Sequence, residues 1–461
     1  MSVFKAYDIR GVVDRELTMD LVERIGFAVS KFFGGDDVVV GMDVRLHSFR
    51  IAEALSRGLL AGGNMLFIGT VTTPVVHYAS HVLRKPAVMI TASHNPPEYN
   101  GMKIMKRGGF DLESHELQQL ASMLEQPPPE RRGVVYVKDV LSSYVEHVAE
   151  RFGRLDLSVG FDPANASGVV LKPLLEKTFK RVIAINDYPD GRFPAHPPDP
   201  EKPENLRQLQ RLVAENKLDV GIALDGDCDR LGLVTARGEV FRPEKAVYSL
   251  LTYYAKPGDV VVLDVTMPLY LEKAAEERGV KIVRQRVGHS FQKPTAIKHN
   301  ALFWAEYSGH IGFRDHNYFD DGIYAALKIL SVLTSAGVTL DKVLDEAPKV
   351  YEERLDFKTA DPRKAVEEAK RRAAGLEFYE LDGIDIRSRD GRLLIRPSNT
   401  EPLVRVKMES YTKEGLETLR KLLVQLLGRA LATPSEAPPP GRARPRKRSG
   451  LRRRGGGWRK G

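Results

Sequence analysis

Short runs of apolar, mostly β-branched residues recur along the chain, and each run ends in an aspartate. The four clearest runs are VVVGMD, LSVGFD, VGIALD and VVVLD, which end at Asp43, Asp162, Asp225 and Asp264. Continuous apolar runs of this length are typical of strands that are buried on both faces. Helical stretches lie between them, at 19–33, 48–60 and 204–215. The alternation predicts an α/β fold with mainly parallel sheets, in which each aspartate stands in a loop at a strand end.

The chain of 461 residues is long enough for about three or four domains. Turn-forming breaks lie at 153–155, 256–258 and 345–350. After Tyr351 the pattern changes to the short strands LLIRP and LVRVKME and one helix at 413–431, which predicts an α+β domain. We therefore predict domains at 1–154, 155–256, 257–350 and 351–432, followed by a tail at 433–461.

The positive charge of the chain is concentrated in this tail. The whole chain carries a net charge of +9, and residues 433–461 hold ten Lys and Arg against one Glu, so the rest is formally neutral. A stretch rich in Pro, Gly and Arg cannot form a core, and we expect it to be disordered. The neutral charge of residues 1–432 argues against a nucleic-acid-binding fold. The alternative function, binding to nucleic acid or another anionic surface, would therefore depend on the tail alone.

The composition is that of an ordinary globular protein. No apolar run approaches the roughly 18 residues of a membrane span, and the first residues lack the apolar region of a signal peptide. Cys228 is the single cysteine, which excludes an intrachain disulfide and a multi-cysteine zinc site. We expect a cytoplasmic protein with no membrane contact, in which any metal ion is held by oxygen or histidine.

The segment AVMITASHNPPEYNGMK runs from an apolar strand into a polar loop that carries Ser93 and His94. A serine presented in this way can act as a nucleophile. The same pattern also fits a turn serine beside a hydrogen-bonded histidine. This loop needs a partner motif before it indicates a function.

The segment DGDCDR supplies such a partner, because three aspartates alternate just past a strand. Carboxylates two residues apart on an extended backbone point the same way, and three crowded anions repel one another unless they share a hard cation. A calcium-binding EF-hand loop needs Gly at its sixth position and Glu at its twelfth, where this chain has Arg230 and Ala236. The motif therefore predicts a Mg²⁺ site at Asp225, Asp227 and Asp229, and the alternative is a solvated acidic turn.

Two further segments carry polar groups that suit a sugar phosphate. In WAEYSGHIGF, Glu306, Ser308 and His310 alternate, so an extended backbone would place them on one face, which suits sugar hydroxyls. The alternative is an ordinary polar loop. In LLIRPSNTEP, a turn after a strand offers a guanidinium, hydroxyls and amides that could hold a phosphate, or it is simply a capped turn. Its polar residues are Arg396, Ser398, Asn399 and Thr400.

The sequence contains no Walker loop, dinucleotide-binding GxGxxG, GxSxG elbow or HExxH motif. A phosphate-handling protein without a nucleotide motif is expected to obtain its phosphoryl group from the substrate or from itself.

Taken in order, FKAYDIRG, TASHNPPEYNGMK, DGDCDR, AEYSGH and RPSNTEP resemble the motifs of the α-D-phosphohexomutase superfamily. The resemblance covers about residues 1–432. RVGHSFQK and FDDGIY resemble the phosphomannomutase/phosphoglucomutase branch in particular. Phosphoglucosamine mutases usually have an Asp-Arg pair where His289 and Ser290 stand. The resemblance implies four domains around a central cleft, three related α/β domains and a smaller α+β domain that closes over the substrate.

The resemblance also implies an activity, which is interconversion of hexose 1-phosphate and hexose 6-phosphate through a phosphoserine enzyme. Ser93 would be the phosphoserine, and the three aspartates would hold Mg²⁺ together with one of its phosphoryl oxygens. Hexose 1,6-bisphosphate would be both intermediate and activator. The residues that would assist proton transfer or balance charge are Arg10, Lys103, Arg230 and His310. The residues that would bind substrate are Tyr7, His289, Glu306, Ser308, Arg396, Ser398, Asn399 and Thr400.

The chain departs from the superfamily pattern at four positions, one of which is Cys228, which replaces the usual small Ala or Gly between two of the aspartates. Ala305 stands where Gly is usual, Tyr307 fills a variable slot, and Thr266 stands where bacterial relatives often have a phosphate-binding Lys. These departures leave the identity of the sugar undecided. Mannose and glucose phosphates are the predicted substrates, phosphoglucosamine mutase or a broad-specificity enzyme is the alternative, and the protein is expected to be a monomer or a homodimer.

Overall fold

A computed structural model of the chain describes residues 3–5, 7–124, 133–398 and 402–428. Within these residues the chain forms four β-sheets, one after another along the sequence. The divisions predicted at 154, 256 and 350 each fall between the last strand of one sheet and the first strand of the next, and they stay predictions. The predicted tail at 433–461 lies outside the described residues.

The first sheet has the strand order β1-β5-β4-β2-β3-β7, with β6 added beside β5. Strand β2 runs parallel to β3 and β4, whereas β5 is antiparallel to β1 and β4. Helices α1 and α2 pack closely because Gly26 and Gly58 face each other, and a Cβ on Gly58 would lie 1.9 Å from the Glu23 carbonyl oxygen. The elements are β1 (Ile9–Val12), α1 (Met19–Phe32), β2 (Val38–Met42), α2 (Ser48–Leu59), β3 (Met65–Thr70), α3 (Thr73–Leu83), β4 (Ala87–Ile90), β5 (Tyr99–Lys106), β6 (Phe110–Asp111), α4 (Ser114–Ala121) and β7 (Val135–Val137).

The second sheet has the order β12-β11-β10-β8-β9, in which β10, β8 and β9 are parallel. The helix predicted at 204–215 begins as a 3₁₀ turn at Pro203–Leu206 and continues as α7. The elements are α5 (Leu141–Phe152), β8 (Leu155–Asp162), α6 (Lys172–Thr178), β9 (Phe179–Ala184), α7 (Arg207–Asn216), β10 (Val220–Leu224), β11 (Leu231–Thr235) and β12 (Val240–Phe241).

The third sheet has the order β14-β13-β15-β16, in which β13 is parallel to β14 and β15. Among the residues that the structure describes, no single helix is long and apolar enough to cross a membrane, although α11 and α12 taken together, at a sharp bend, reach that length and composition. The elements are α8 (Pro243–Tyr253), β13 (Val260–Asp264), α9 (Tyr270–Glu276), β14 (Lys281–Gln285), α10 (His289–Lys298), β15 (Phe303–Ala305), β16 (Ile311–Phe313), α11 (Gly322–Ser335) and α12 (Leu340–Glu346).

The fourth sheet is antiparallel throughout, in the order β17-β21-β20-β19-β18, and two helices cover it. Helix α14 ends at Leu427, four residues before the predicted end. The elements are β17 (Tyr351–Lys358), α13 (Pro362–Arg372), β18 (Phe378–Tyr379), β19 (Ile384–Ser388), β20 (Gly391–Pro397), β21 (Leu403–Ser410) and α14 (Lys413–Leu427). The predicted fold class, three α/β domains followed by a smaller α+β domain, is confirmed.

The apolar core is shared unequally among these domains. One continuous core runs through the first three, from Val39 through Phe161 and Val261 to Leu333, whereas the fourth domain has its own core around Leu393 and Val406. The fourth domain reaches the third through polar contacts, such as that of the Arg392 guanidinium with the carbonyl of Met267 at 3.0 Å. Polar interfaces within a chain are the ones that permit relative domain motion. The first three domains therefore pack around a common core, and the fourth packs around its own.

Candidate active site

Ser93 lies three residues past β4, in the turn that connects β4 to β5. Its side chain is 3% exposed, and its φ of 50° is left-handed, which is uncommon for a residue other than glycine. Its Oγ donates a hydrogen bond to Oδ2 of Asp225 at 2.7 Å and lies 3.0 Å from Nδ1 of His94. The carbonyl of Ser93 lies against Gly226, where a Cβ would come within 2.1 Å. Two loops from different domains therefore meet at this serine.

The three aspartates follow β10 and are fully buried. The segment is a turn in which Cys228 has φ 69°, so the extended backbone that we expected from the alternation is wrong. The carboxylates converge nevertheless, with one oxygen of each lying within 4.8 Å of the others. Burial, and after it the charges of Asp229 and Asp227, raise the pKa of Asp225 well above its usual value.

Lys103, on β5, brings positive charge to these carboxylates from the first domain. Its Nζ lies 2.7 Å from Oδ2 of Asp227 and 2.5 Å from Oδ2 of Asp229. Burial opposes the charge on Lys103, but the two carboxylates outweigh this effect and raise its pKa well above the usual value. Thr73, at the start of α3, donates to the same Asp227 oxygen at 2.6 Å. The ammonium group is therefore held in place and stays charged.

The other oxygens of this cluster fit a metal ion. Oδ1 of Asp227 and Oδ1 of Asp229 are buried and accept no hydrogen bond from any residue that the structure describes. A buried carboxylate oxygen without a donor is costly, and a hard divalent cation with oxygen ligands removes that cost. The donor set, three carboxylates beside a serine hydroxyl, suits Mg²⁺. The predicted metal ligands, Asp225, Asp227, Asp229 and Ser93, are thus brought together.

Arg230 and His310 form a second pair at the same place. Nε of Arg230 donates to Nε2 of His310 at 2.9 Å, and Nδ1 of His310 lies 3.2 Å from Oδ2 of Asp320. The imidazole therefore lies between a guanidinium on its Nε2 side and a carboxylate on its Nδ1 side. Burial opposes the charge of Arg230, but Asp225 and Asp229 raise its pKa above the usual value. Asp320 was not among the predicted site residues, although it belongs to the segment FDDGIY, which resembles the phosphomannomutase/phosphoglucomutase branch.

His94 lies beside the cations of the site without adding to their charge. The charge of Arg230, followed by burial, lowers the pKa of His94 well below its usual value, so this imidazole is neutral near pH 7. Arg10 holds the same loop from β1, because its Nη1 donates to Oδ1 of Asn95 at 2.6 Å and its Nη2 to Oδ2 of Asp8 at 2.6 Å. Ser93, Lys103, Arg230 and His310 thus lie around the aspartates, and Arg10 contacts the loop that carries Ser93.

Glu306, Ser308 and His310 lie on the turn between β15 and β16, where Gly309 has φ 98°. The turn corrects our expectation that the three side chains share one face of an extended segment. Ser308 Oγ donates to Oε2 of Glu306 at 3.2 Å, while His310 bonds to Arg230 and Asp320 instead. Oε1 of Glu306 accepts the backbone N–H of Gly288 at 2.7 Å. The carboxylate therefore joins the turn to the start of α10.

Tyr7 and His289 lie at the same end of α10. The ring of Tyr7 packs against Gly288, where a Cβ would lie 3.4 Å from Cε1 of the ring. His289 is the first residue of the helix. Both residues therefore lie beside Gly288, whose N–H the Glu306 carboxylate accepts, and their contact with substrate stays a prediction.

A cavity of about 440 Å³ separates the Glu306 turn from the fourth domain. Arg396 lies in its wall, with Nη1 3.5 Å from Oδ2 of Asp382, and Ser398 donates its backbone N–H to the Leu403 carbonyl at 2.9 Å. Asn399 and Thr400, also predicted to bind phosphate, lie outside the described residues. Cationic side chains dominate the wall on the side of the fourth domain, namely Arg354, Arg396, Arg405 and Lys407. Because Asp356 is the one acid among the described lining residues on that side, the fourth-domain wall carries net positive charge, while Glu201 and Asp264 line other parts of the cavity.

Lys407 and Arg354 were missed by the sequence reasoning. Lys407 Nζ donates to the carbonyl of Thr266 at 2.6 Å, so a cation does stand beside the position where relatives have lysine. The Arg354 guanidinium lies 3.6 Å from the centre of the Tyr307 ring. Both residues occur in alternating charged stretches of β-strands, and no local signal separates them from ordinary surface charges.

Four sequence models of one family match the chain in order. They are described as phosphoglucomutase/phosphomannomutase alpha/beta/alpha domain I at residues 1–129, domain II at 134–238, domain III at 243–351, and the C-terminal domain at 355–426.

Individual relatives cover nearly the whole chain. A phosphomannomutase/phosphoglucomutase of Pseudomonas aeruginosa is 35% identical over 439 residues, which are 91% of this chain and 94% of that one. A phosphomannomutase of Methanocaldococcus jannaschii is 30% identical over 441 residues, which are 92% of this chain and 98% of that one. The crystal structure of a family protein from Burkholderia thailandensis superposes with a TM-score of 0.85 at 29% identity, covering 94% of this chain and 98% of that one. The chain belongs to the phosphoglucomutase/phosphomannomutase family.

Proposed function

We propose that this protein interconverts hexose 1-phosphate and hexose 6-phosphate, with mannose and glucose as the sugars, through a phosphorylated Ser93 and a hexose 1,6-bisphosphate. The observation that carries the proposal is the buried contact of Ser93 Oγ with Asp225, at 2.7 Å, beside the buried Lys103 and the partly buried Arg230. The names of the relatives, phosphomannomutase and phosphoglucomutase, support the same reaction.

The first step transfers the phosphoryl group from Ser93 to the sugar. A hydroxyl oxygen of the bound hexose phosphate attacks phosphorus, and the bond from phosphorus to Ser93 Oγ breaks. The hydroxyl proton leaves to a base, and Ser93 Oγ, which departs with the electron pair of the broken bond, takes up a proton to become the hydroxyl. The transition state is loose and spreads negative charge over three oxygens, so cations fixed nearby stabilise it. Lys103 and Arg230 supply that charge. His310 is the proposed base: its Nε2, which accepts the Nε–H of Arg230 at 2.9 Å, would take the hydroxyl proton once that guanidinium turns to the phosphoryl oxygens, while Nδ1 stays beside Asp320.

Mg²⁺ would be held by Asp225, Asp227 and Asp229, and when bound it supplies a further positive charge to the oxygens of the transferred group. The buried carboxylate oxygens of Asp227 and Asp229 support this assignment. The residues of the chain do the positioning, because Lys103 and Thr73 fix the orientation of Asp227.

Sugar and phosphate would be bound by the two sides of the cavity. Glu306 and Ser308 offer acceptors and a hydroxyl to the ring, and Arg396 with its neighbours offers charge to the phosphate that does not react. The bisphosphate must then turn around and return its other phosphoryl group to Ser93. A site that binds the hydroxyls at carbons 3 and 4 recognises the ring in both orientations, and it accepts both mannose and glucose, which differ at carbon 2.

The bisphosphate would also act as an activator, because it can restore a Ser93 that has lost its phosphoryl group. We further propose a cytoplasmic monomer or homodimer whose tail at 433–461 takes no part in the reaction.

The test is a mutase assay with glucose 1-phosphate, mannose 1-phosphate and glucosamine 1-phosphate, combined with intact mass and phosphosite mapping. We expect turnover of the first two sugars, phosphate on Ser93, and no turnover by Ser93→Ala. Ser249→Ala is the matched control, because Ser249 is buried in α8 and donates only to the Ala246 carbonyl at 2.7 Å. Near-normal activity of Ser93→Ala would refute the mechanism, and turnover of glucosamine 1-phosphate alone would refute the choice of sugar.

A further inference from the structure

Asp43 was singled out in the sequence as a strand-end aspartate, and the proposed function gives it no role. In the structure it is buried beside Arg45, and its Oδ2 lies 3.2 Å from Nε of that arginine. Its Oδ1 accepts the backbone N–H of Arg45 at 3.0 Å and also the hydroxyl of Ser48. The carboxylate therefore fixes both the backbone and the side chain of Arg45.

The guanidinium of Arg45 points into the loop that carries Ser93. Its Nη2 donates to the carbonyls of Ser93 at 2.7 Å and Asn95 at 2.6 Å. Its Nη1 donates to the carbonyls of Pro96 at 2.7 Å and Tyr99 at 3.0 Å. A single side chain thus binds four carbonyl oxygens of the segment 93–99, which runs from the serine loop to the first residue of β5, and the planar guanidinium fixes their relative positions.

This arrangement is closed off from water by the second domain. The side chain of Arg45 is 0% exposed, and its Cζ lies 5.0 Å from the centre of the Phe193 ring. Gly191 packs on the backbone of Arg45, since a Cβ there would lie 2.6 Å from the Cα of Arg45. Water cannot replace the four hydrogen bonds in such a site, so the loop depends on the guanidinium for them.

The backbone of Ser93 needs such support. A left-handed non-glycine residue at a functional site is retained only where the surrounding structure holds it. The Ser93 carbonyl is held by Arg45, and its N–H donates to Oγ1 of Thr91 at 2.9 Å. With both peptide groups fixed, Oγ is directed to Asp225.

We propose that Arg45 is the positioning residue for the phosphoserine: it holds Ser93 in the left-handed conformation that directs Oγ at Asp225 and the neighbouring cations. The inference rests on the proposed function, because it gives Arg45 a part in phosphoryl transfer at Ser93. Lysine at this position keeps the charge but cannot bind four carbonyls in one plane.

The experiment compares Arg45→Lys with Arg278→Lys. Arg278 is the control because its guanidinium also donates to a backbone carbonyl, that of Ala274 in α9. We expect kcat of Arg45→Lys to fall about 100-fold, the loss that a misplaced reacting group causes. We expect KM to stay within about threefold of the unaltered protein, because the sugar and phosphate contacts are intact. Arg278→Lys should keep both constants.

Two results would overturn the inference: a kcat of Arg45→Lys within about threefold of the unaltered protein, or equal losses in Arg45→Lys and Arg278→Lys. If Arg45→Lys does not fold, Asp43→Asn is measured instead, because it keeps the guanidinium and removes its ion pair. We expect a kcat loss of about tenfold for Asp43→Asn at unchanged KM, and an unchanged kcat contradicts the inference.

A second readout separates this inference from the proposed function. Glucose 1,6-bisphosphate is mixed with dephosphorylated protein, and the mass increase at Ser93 is followed over time. Slower labelling of Arg45→Lys supports the inference even if no hexose phosphate turns over, whereas equal labelling rates overturn it. Turnover by the unaltered protein together with normal turnover by Arg45→Lys leaves the proposed function in place and removes only the role of Arg45.

Discussion

Replacing Lys293 with methionine perturbs an ion cluster that joins the first and third domains. Lys293, in α10, is 3% exposed, and its Nζ lies 2.7 Å from Oδ2 of Asp111 in β6 and 2.6 Å from Oδ1 of Asp320. Burial opposes its charge, but Asp111 and Asp320 outweigh burial and raise the pKa of Lys293. Lys293→Met keeps most of the side-chain volume and leaves two buried carboxylates without their cation.

The expected cost follows from that geometry. Breaking a buried pair by removing one partner costs about 3–5 kcal/mol, because the charge left behind is neither solvated nor paired. Here two carboxylates are left behind, so we expect the upper part of that range. Adding Asp111→Asn to Lys293→Met should recover part of the lost free energy of unfolding, because it removes one of the uncompensated charges. The effects of the two substitutions on the free energy of unfolding should therefore not be additive.

The assay is urea unfolding of the unaltered protein and the variants at pH 5 and pH 8. Without Lys293, burial disfavours the charged form of both carboxyls, so we expect the folded variant to take up protons more readily than the unfolded chain. The folded variant then binds more protons than the unfolded chain, so its stability falls as pH rises. The difference from the unaltered protein should therefore be larger at pH 8 than at pH 5.

The control is Lys172→Met, which breaks an exposed pair with Asp187 and should leave the unfolding midpoint unchanged. A loss of less than about 1 kcal/mol for Lys293→Met would refute the reasoning, because it would mean that the cluster is solvated like a surface pair. A pH dependence of the opposite sign would refute the assignment of the uncompensated charges.

Three further outcomes are expected. Chelation with EDTA should stop turnover, and Mg²⁺ should restore it. The activity of Asp227→Asn should not be restored by any Mg²⁺ concentration that restores the unaltered protein. Full activity in excess EDTA would count against the metal site. Glu306→Gln should lower kcat/KM by about 10- to 100-fold at an unchanged unfolding midpoint, since a hydrogen bond to a charged group is worth about 1.5–3 kcal/mol; an unchanged kcat/KM would remove Glu306 from the sugar site. Deleting residues 433–461 should leave kcat and KM unchanged, and a rise in KM would show that the tail reaches the substrate.

The local sequence was sufficient to locate the four buried strands and the loops at their ends. Apolar runs followed by an acid located β2, β8, β10 and β13, because burial on both faces leaves a continuous apolar signature that does not depend on distant partners. The same signal placed Asp225 in a strand-end loop, and the ordered motifs placed Ser93 in another. The sequence could not show that both segments at 225–229 and 306–310 are turns, since alternation of polar residues is the same in a turn and in a strand.

The tertiary structure alone decided which charged side chains meet. Arg45 and Ser93 are 48 residues apart and meet because β2 and β4 are neighbours in the first sheet, whereas Lys103 and Asp227 are 124 apart and meet because the first two domains pack together. Within a loop or strand, an arginine that binds four buried carbonyls looks the same in sequence as one on the surface. The reason is physical: composition and periodicity report how much of a segment is buried, whereas the partner of a buried charge is determined by the orientation of the domains around it.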